Sequence, residues 1–219
     1  GANHLTELKA QAKDEVLIEN KIKDVHPIEE FNFDSNGEKL RGYILFPKDF
    51  DKDKKYPTIL SVHGGPKTEF SDIFHHEHQM LASNGYIVIY TNPHGSSGRG
   101  VKFSDIRGRY GKIDYEDLMT FVDKAIEKYP QINPNKMAIY GGSYGGFMTT
   151  SFMLRKPDVF KVGVAGGPVL DWTQYEIMYT ERYMESPQDN PEGFKNTNLI
   201  NRVKDLKGKL LMIHGAQDN

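Results

Sequence analysis

The sequence predicts an α/β protein: a mostly parallel sheet with helices on both faces, begun by an antiparallel hairpin. Three observations predict it. Short apolar runs of strand length alternate with stretches of helical period from Thr58 onward, the order that lays successive strands parallel with helices as crossovers. Asn36-Gly37 separates two runs of alternating polar and apolar residues, a hairpin signature. Gly141-Gly142-Ser143-Tyr144-Gly145-Gly146 stands between a strand-like run, Lys136 to Tyr140, and a helix-like stretch starting at Phe147, the context of a sharp strand-to-helix turn.

Taken in order, residues 1–28 read as an arm or linker, because Leu5 to Asn20 is charged and helix-permissive. Residues 29–219 read as one domain. Glu29 to Asp34 and Glu38 to Phe46 are the hairpin strands around Ser35-Asn36-Gly37. Thr58 to His63 is a strand, Phe74 to Asn84 a helix, Tyr86 to Thr91 a strand. Tyr115 to Tyr129 is a helix whose stripe Tyr115, Leu118, Val122, Ala125, Ile126 and Tyr129 belongs to the core, with Asp114 as N-cap and Pro130 as its stop. After the turn at Ser143 come a strand at Phe160 to Ala165, an aromatic-rich helix from Asp171 to Met184, a polar loop, and a strand at Lys209 to Ile213. That last strand is apolar on both faces and is expected to form an exposed, aggregation-prone edge. An antiparallel start, a parallel continuation and a serine elbow in mid-sheet make the α/β-hydrolase arrangement. No repeat of 40 to 50 residues is visible, so no propeller is expected within the chain.

The bulk composition narrows the function classes. Lys and Arg number 28 against 30 Asp and Glu, a net charge of −2, so nothing draws the chain to nucleic acid or an anionic membrane. With no cysteine, disulfides, a thiol nucleophile and thiolate metal sites are excluded. Apolar runs such as Tyr86 to Tyr90 are far shorter than the roughly 20 residues of a membrane helix, and Gly1 to His4 does not read as a secretory leader. No cofactor is indicated, and compartment and self-association are left open. His75, His76 and His78 invite a metal reading, but only His75 and His78 share a helix face and no third ligand is near in sequence, so a solvated helix start is preferred.

The chemistry centres on Ser143. A serine on such an elbow is pushed out above the sheet as a nucleophile, flanked by small residues that let the backbone fold back. In this fold the acid of the triad follows the nucleophile at the end of a later strand, and Asp218 in His214-Gly215-Ala216-Gln217-Asp218 fits. The backbone N–H of Tyr144 is one oxyanion donor, and the loop after the third strand, through Gly64 or Gly65, is the second.

At these residues the chain resembles the prolyl oligopeptidase family of serine peptidases, which carries such an elbow and a His-Gly-x-x-Asp segment. The resemblance spans roughly Glu29 to Asn219 and includes His63-Gly64-Gly65-Pro66, Asn92-Pro93-His94-Gly95-Ser96, and Trp172 followed by Tyr175 and Tyr179. Two subgroups are mixed: Ser104 to Gly108 and Asp114 to Gly146 look like acylaminoacyl-peptidase relatives, whereas Phe160 to Met184 looks like dipeptidyl peptidase IV. His94 stands where relatives usually have arginine. His63 stands where dipeptidyl peptidase IV relatives use a tyrosine hydroxyl as oxyanion donor, which favours a backbone donor here. Trp172, Tyr175 and Tyr179, three and four apart on one expected helical face, match residues that wall the pocket for the side chain before the scissile bond. The paired glutamate that reads the substrate's amino terminus in that group has no counterpart.

The resemblance implies a peptidase acting on short peptides through an acyl-enzyme, and full-length relatives that also carry a β-propeller. It places the catalytic histidine on a loop well after the aspartate, whereas the eight histidines here all precede Asp218. For these 219 residues alone, negligible peptidase activity is therefore expected. Two other readings stay open: a carboxylesterase, which uses the same elbow and oxyanion hole, and a non-catalytic module that binds a ligand or partner in the pocket.

Overall fold

Asn36 and Gly37 both take positive φ, 49° and 79°, the backbone of a two-residue turn whose twist matches its strands. In the computed structural model, which describes residues 26–218, this turn joins β1 (Ile28–Ser35) to β2 (Glu38–Leu45) in antiparallel register, Ser35 opposite Glu38 and Ile28 opposite Leu45. The expected arm lies outside the described residues except at its last three positions, and Ile28 already belongs to β1. Among the described residues the sheet has the order β1-β2-β4-β3-β5-β6-β7, where β3 is Tyr56–Val62, β4 Ile87–Thr91, β5 Ile132–Gly142, β6 Val162–Gly166 and β7 Lys209–Ile213. The β2–β4 pairing is antiparallel, and every pairing from β4 to β7 is parallel.

The helices are α1 (His76–Ser83), the single turn α2 (Val101–Ser104), α3 (Ile113–Lys128), α4 (Tyr144–Arg155), α5 (Ile177–Met184) and α6 (Pro191–Thr197). They fall on both faces because strand residues alternate. Leu40, Ile44, Leu60, Ile87, Ile89 and Ile139 point to one side and pack with Leu118, Phe121 and Val122 of α3 and Phe147, Met148 and Phe152 of α4. Tyr43, Leu45, Val88 and Tyr90 point to the other and pack with Ala82 of α1. No described helix is long and apolar enough to cross a membrane.

Four local expectations are corrected. Asp114 is not the N-cap of α3: Lys112 is, and Asp114 lies in the first turn, fully buried, accepting from the N–H groups of Gly111 (3.1 Å) and Tyr115 (2.9 Å). The helix after the elbow begins at Tyr144, not Phe147, so two glycines sit in its first turn. The stretch Asp171 to Met184 is not one helix. Asp171 caps a short 3₁₀ turn, Trp172–Gln174, Tyr175 is extended, and Glu176 caps α5 through the N–H groups of Met178 and Tyr179. The start of α1 is not solvated throughout, since His78 is buried with its Nε2 2.9 Å from Ser61 Oγ.

Candidate active site

Ser143 has φ 55° and ψ −118°, a left-handed conformation that a residue with a Cβ adopts only under constraint. The constraint is visible on both sides: its N–H donates to Gly166 O of β6 (2.7 Å), and its carbonyl accepts from Phe147 N (2.9 Å) to open α4. A Cβ on Gly141 would lie 2.5 Å from Val62 O, one on Gly145 2.3 Å from the same atom, and one on Gly146 2.8 Å from Gly166 O. All three obstacles are backbone, so the elbow closes onto β3 and β6 only with hydrogen at these positions. The Ser143 side chain is exposed and has no hydrogen-bond partner among the described residues.

The loop after β3 lies against this elbow. A Cβ on Gly64 would sit 3.3 Å from Gly142 O and 3.7 Å from Ser143 Cβ. Both nitrogens of the His63 ring are bonded to groups other than Ser143: Nδ1 is 2.7 Å from Gly64 O and Nε2 2.9 Å from Ser96 Oγ. A carbonyl only accepts, so Nδ1 carries the proton and Nε2 takes the Ser96 hydroxyl. Burial pushes the His63 pKa down, keeping the ring neutral.

Asp218 follows β7 on an exposed turn, its Oδ2 3.5 Å from His214 Nδ1. It lines a cleft of about 260 Å³ with Gly167, Asp171, Tyr175 and His214. Gly167 donates to Ile213 O (2.7 Å), while its neighbour Gly166 holds Ser143. The strand end that carries Asp218 and the elbow are thus tied to the two sides of a single peptide, Gly166–Gly167, at the end of β6.

Trp172, Tyr175 and Tyr179 come together although they do not share a helix. The Trp172 ring is 5.7 Å from Tyr179 and stacked on it, 5.8 Å from Tyr175 and edge-on, and Tyr175 is 5.1 Å from Tyr179. Trp172 is buried, and the two tyrosines are partly exposed in front of it. Sequence reasoning missed their companions. Tyr110, buried, meets Tyr144 at 5.3 Å and Trp172 at 5.2 Å, and the Tyr144 hydroxyl donates to Asp114. Desolvation raises the Asp114 pKa to about 6, while the hydrogen bonds from Tyr144 and the backbone pull it down. No short-range signal marks Tyr110; the partner it finds is 69 residues away in sequence.

His94 and His78 are engaged elsewhere. His94 directs both its backbone N–H (2.7 Å) and Nδ1 (2.6 Å) to Asp117 Oδ2 and packs on Phe103. His78 packs on Tyr90 and Phe70, with His75 5.0 Å away, and burial lowers its pKa to about 3. Among the described residues no three His, Cys, Asp or Glu side chains are grouped to hold a metal ion.

A mostly parallel sheet that carries a strained serine on its central strand-to-helix turn, with a glycine loop against it, is an α/β-hydrolase. The chain belongs to the prolyl oligopeptidase family, whose profile matches residues 72–219, and this family and its relatives here are serine peptidases. It is 33% identical over 192 residues to the uncharacterized peptidase YuxL of Bacillus subtilis, covering 84% of this chain and 29% of the relative. It is 32% identical over 207 residues to human dipeptidyl peptidase 8, covering 90% of this chain and 23% of the relative. A structure of Pyrococcus horikoshii acylaminoacyl peptidase superposes with a TM-score of 0.83 at 28% identity, covering 91% of this chain and 33% of that one. The chain thus spans about a quarter to a third of the length of these relatives.

Proposed function

We propose that these residues form the nucleophile-bearing domain of a serine peptidase that cleaves short peptides in the manner of dipeptidyl or acylaminoacyl peptidases. The observation that carries this reading is the exposed Ser143 at positive φ with Gly64 packed beside it. In this reading a histidine, which the resemblance places on a loop after Asp218, accepts the Ser143 proton as Oγ attacks the scissile carbonyl carbon, and the carbonyl π pair moves to the oxygen, where the N–H of Tyr144 and that of Gly64 or Gly65 receive the charge. Collapse expels the amine, which takes that proton from the histidine; water then gives a proton to the same base as it attacks the acyl-serine, and the proton returns to Ser143 Oγ as the acid product leaves. Asp218 orients the histidine that shuttles those protons, and Trp172, Tyr175 and Tyr179 receive the side chain before the scissile bond.

None of the described histidines hydrogen-bonds Ser143, and His63, the nearest in sequence to the elbow's glycine loop, is committed to Gly64 and Ser96. Removing the histidine of such a site costs about 10⁶ in kcat. A polypeptide of these residues alone is therefore expected to turn over a dipeptide anilide at a negligible rate. The test is incubation with a fluorophosphonate, peptide mapping by mass spectrometry, and the same assay on Ser143→Ala. Slow labelling confined to Ser143 and lost in the variant supports the reading; labelling spread over other serines, or unchanged in the variant, overturns it. Anilide turnover at an ordinary enzymatic rate would show that another group serves as base.

A further inference from the structure

One tyrosine of the aromatic cluster reaches the glycine loop beside the nucleophile. Tyr179 Oη lies 2.5 Å from Gly65 O and 3.1 Å from Tyr110 Oη. Because a carbonyl oxygen only accepts, the single Tyr179 proton goes to Gly65, and the other bond must be donated by Tyr110. The relay therefore has one direction, from Tyr110 to Tyr179 to Gly65. Tyr110 is fixed by burial and by edge-on contacts with Tyr144 and Trp172.

Gly65 needs such a hold. It has φ +109°, where a Cβ would strike Lys67 N at 2.6 Å, and it follows another glycine, so neither residue restricts the backbone by its own sterics. Its two flanking peptide planes are each tied by a side chain. His63 Nδ1 holds Gly64 O, and with it the plane that carries the Gly65 N–H; Tyr179 holds Gly65 O on the far side. The loop has to be held in place because an oxyanion donor works only when aimed beforehand at the point where charge develops.

We infer that Tyr179 is a positioning residue, whose hydroxyl, oriented by Tyr110, fixes the Gly64-Gly65 loop against Ser143, so that one side chain both walls the pocket and sets the oxyanion geometry. This rests on the proposed role of Ser143 as nucleophile and of the loop as donor. The coupling has a consequence for selectivity: a substrate side chain that displaces the Tyr179 ring also loosens the loop and slows acylation, so the pocket discriminates in the chemical step as well as in binding.

The decisive comparison uses Tyr179→Phe and Tyr110→Phe, which keep the rings and remove one hydroxyl each. Amide hydrogen exchange at Gly65, Lys67 and Thr68 is expected to rise about three- to tenfold in Tyr179→Phe, the effect of one neutral hydrogen bond, and less in Tyr110→Phe, with residues 141–146 unchanged. The rate of fluorophosphonate labelling of Ser143 should fall by a similar factor. Affinity for phenylalaninamide, followed through Trp172, the one tryptophan of the chain, should stay within about twofold. Unchanged exchange at 65–68 in Tyr179→Phe overturns the hold, whatever Ser143 does. A loosened loop with an unchanged labelling rate overturns the positioning role. A loosened loop with no labelling of Ser143 in any of the three proteins overturns the nucleophile reading and the role of Tyr179 with it, and leaves only a structural contact.

Discussion

At the scale of the residue, the elbow depends on single atoms that are missing. Gly145 faces two backbone oxygens, and a Cβ there would lie 2.3 Å from Val62 O and 3.0 Å from His63 O, so Ala would have to separate α4 from the end of β3. Gly142, one residue before Ser143, is open, with Gly166 O 3.9 Å from an added Cβ. Gly145→Ala should lower stability by about 2–4 kcal/mol, as overpacking against backbone does, and abolish labelling of Ser143, whereas Gly142→Ala should stay within about 0.5 kcal/mol. Urea unfolding of the two variants checks this, and equal stabilities would refute the steric account.

Asp114 gives a second prediction at this scale, in pH. Its folded pKa is about 6 against 3.8 for the unfolded chain, so between those values the native state holds a proton that the unfolded state has lost. Stability from this carboxyl is therefore fully present below about pH 4, falls as pH rises toward about 6, and is constant above. The loss is on the order of 2–3 kcal/mol. The groups facing it are the Tyr144 hydroxyl, the N–H groups of Gly111 and Tyr115, the Tyr110 ring and, more distantly, the Arg155 guanidinium that donates to Gly111 O. Asp114→Asn can still accept from Tyr144 but does not titrate. Melting temperatures across pH 4 to 7.5 should fall for the native chain relative to Asp114→Asn; parallel curves would show that the carboxyl does not titrate in that window.

At the scale of the element, one buried carboxylate joins three of them. Asp117 Oδ1 accepts from Ser35 Oγ (2.7 Å) and Asn36 Nδ2 (2.8 Å) at the β1–β2 turn, and Oδ2 accepts from the backbone and ring of His94 after β4. The acid itself stands on α3, fully buried. Asp117→Ala leaves four donors without their acceptor and is expected to cost about 3–5 kcal/mol, with Asp117→Asn costing less because part of the acceptor set survives. Chemical denaturation measures both, and an alanine variant within 1 kcal/mol of the native chain would be inconsistent with this tie. The same residue shows where the sequence was legible. Asn36-Gly37, the apolar strands and the serine elbow were readable because each depends on neighbours in the chain, and the α/β-hydrolase architecture follows from their order. Asp114 and Asp117 were not, because one acid near a helix start looks like a cap whether it faces solvent or a tyrosine 30 residues on. The break between Trp172 and Tyr179 was half-legible: Asp171 is a common cap, but Glu176 in the same role is not, and an aromatic run of helical spacing concealed both. His78 was misjudged because helical period gives a face, not what that face meets.

For the whole molecule, the uneven covering of the two faces decides solution behaviour. Among the described residues one face is packed under α3 and α4, while α1 covers the other over β2 and β4. Over β3, β5 and β6 that second face is an open apolar cleft of about 640 Å³ lined by Ile59, Met80, Leu81, Ala138, Val162 and Val164. Leu211, opposite Val164 in register and 56% exposed, extends it onto β7, the unpaired edge of the sheet among the described residues. An apolar patch continuous with a free strand edge binds hydrophobic probes and promotes association. The isolated chain at neutral pH is expected to enhance the fluorescence of anilinonaphthalene sulfonate several-fold while keeping its native circular dichroism, and to increase in mean mass with concentration. Lysines at Val162 and Leu211 should reduce both signals together without lowering the melting temperature by more than a few degrees, because these side chains surrender little burial when replaced. Equal probe binding by the native and doubly substituted chains would mean that the patch is closed in solution. The free edge of β7 would then be the remaining source of any association, and a lysine at the edge residue Met212 would test it in the same assay.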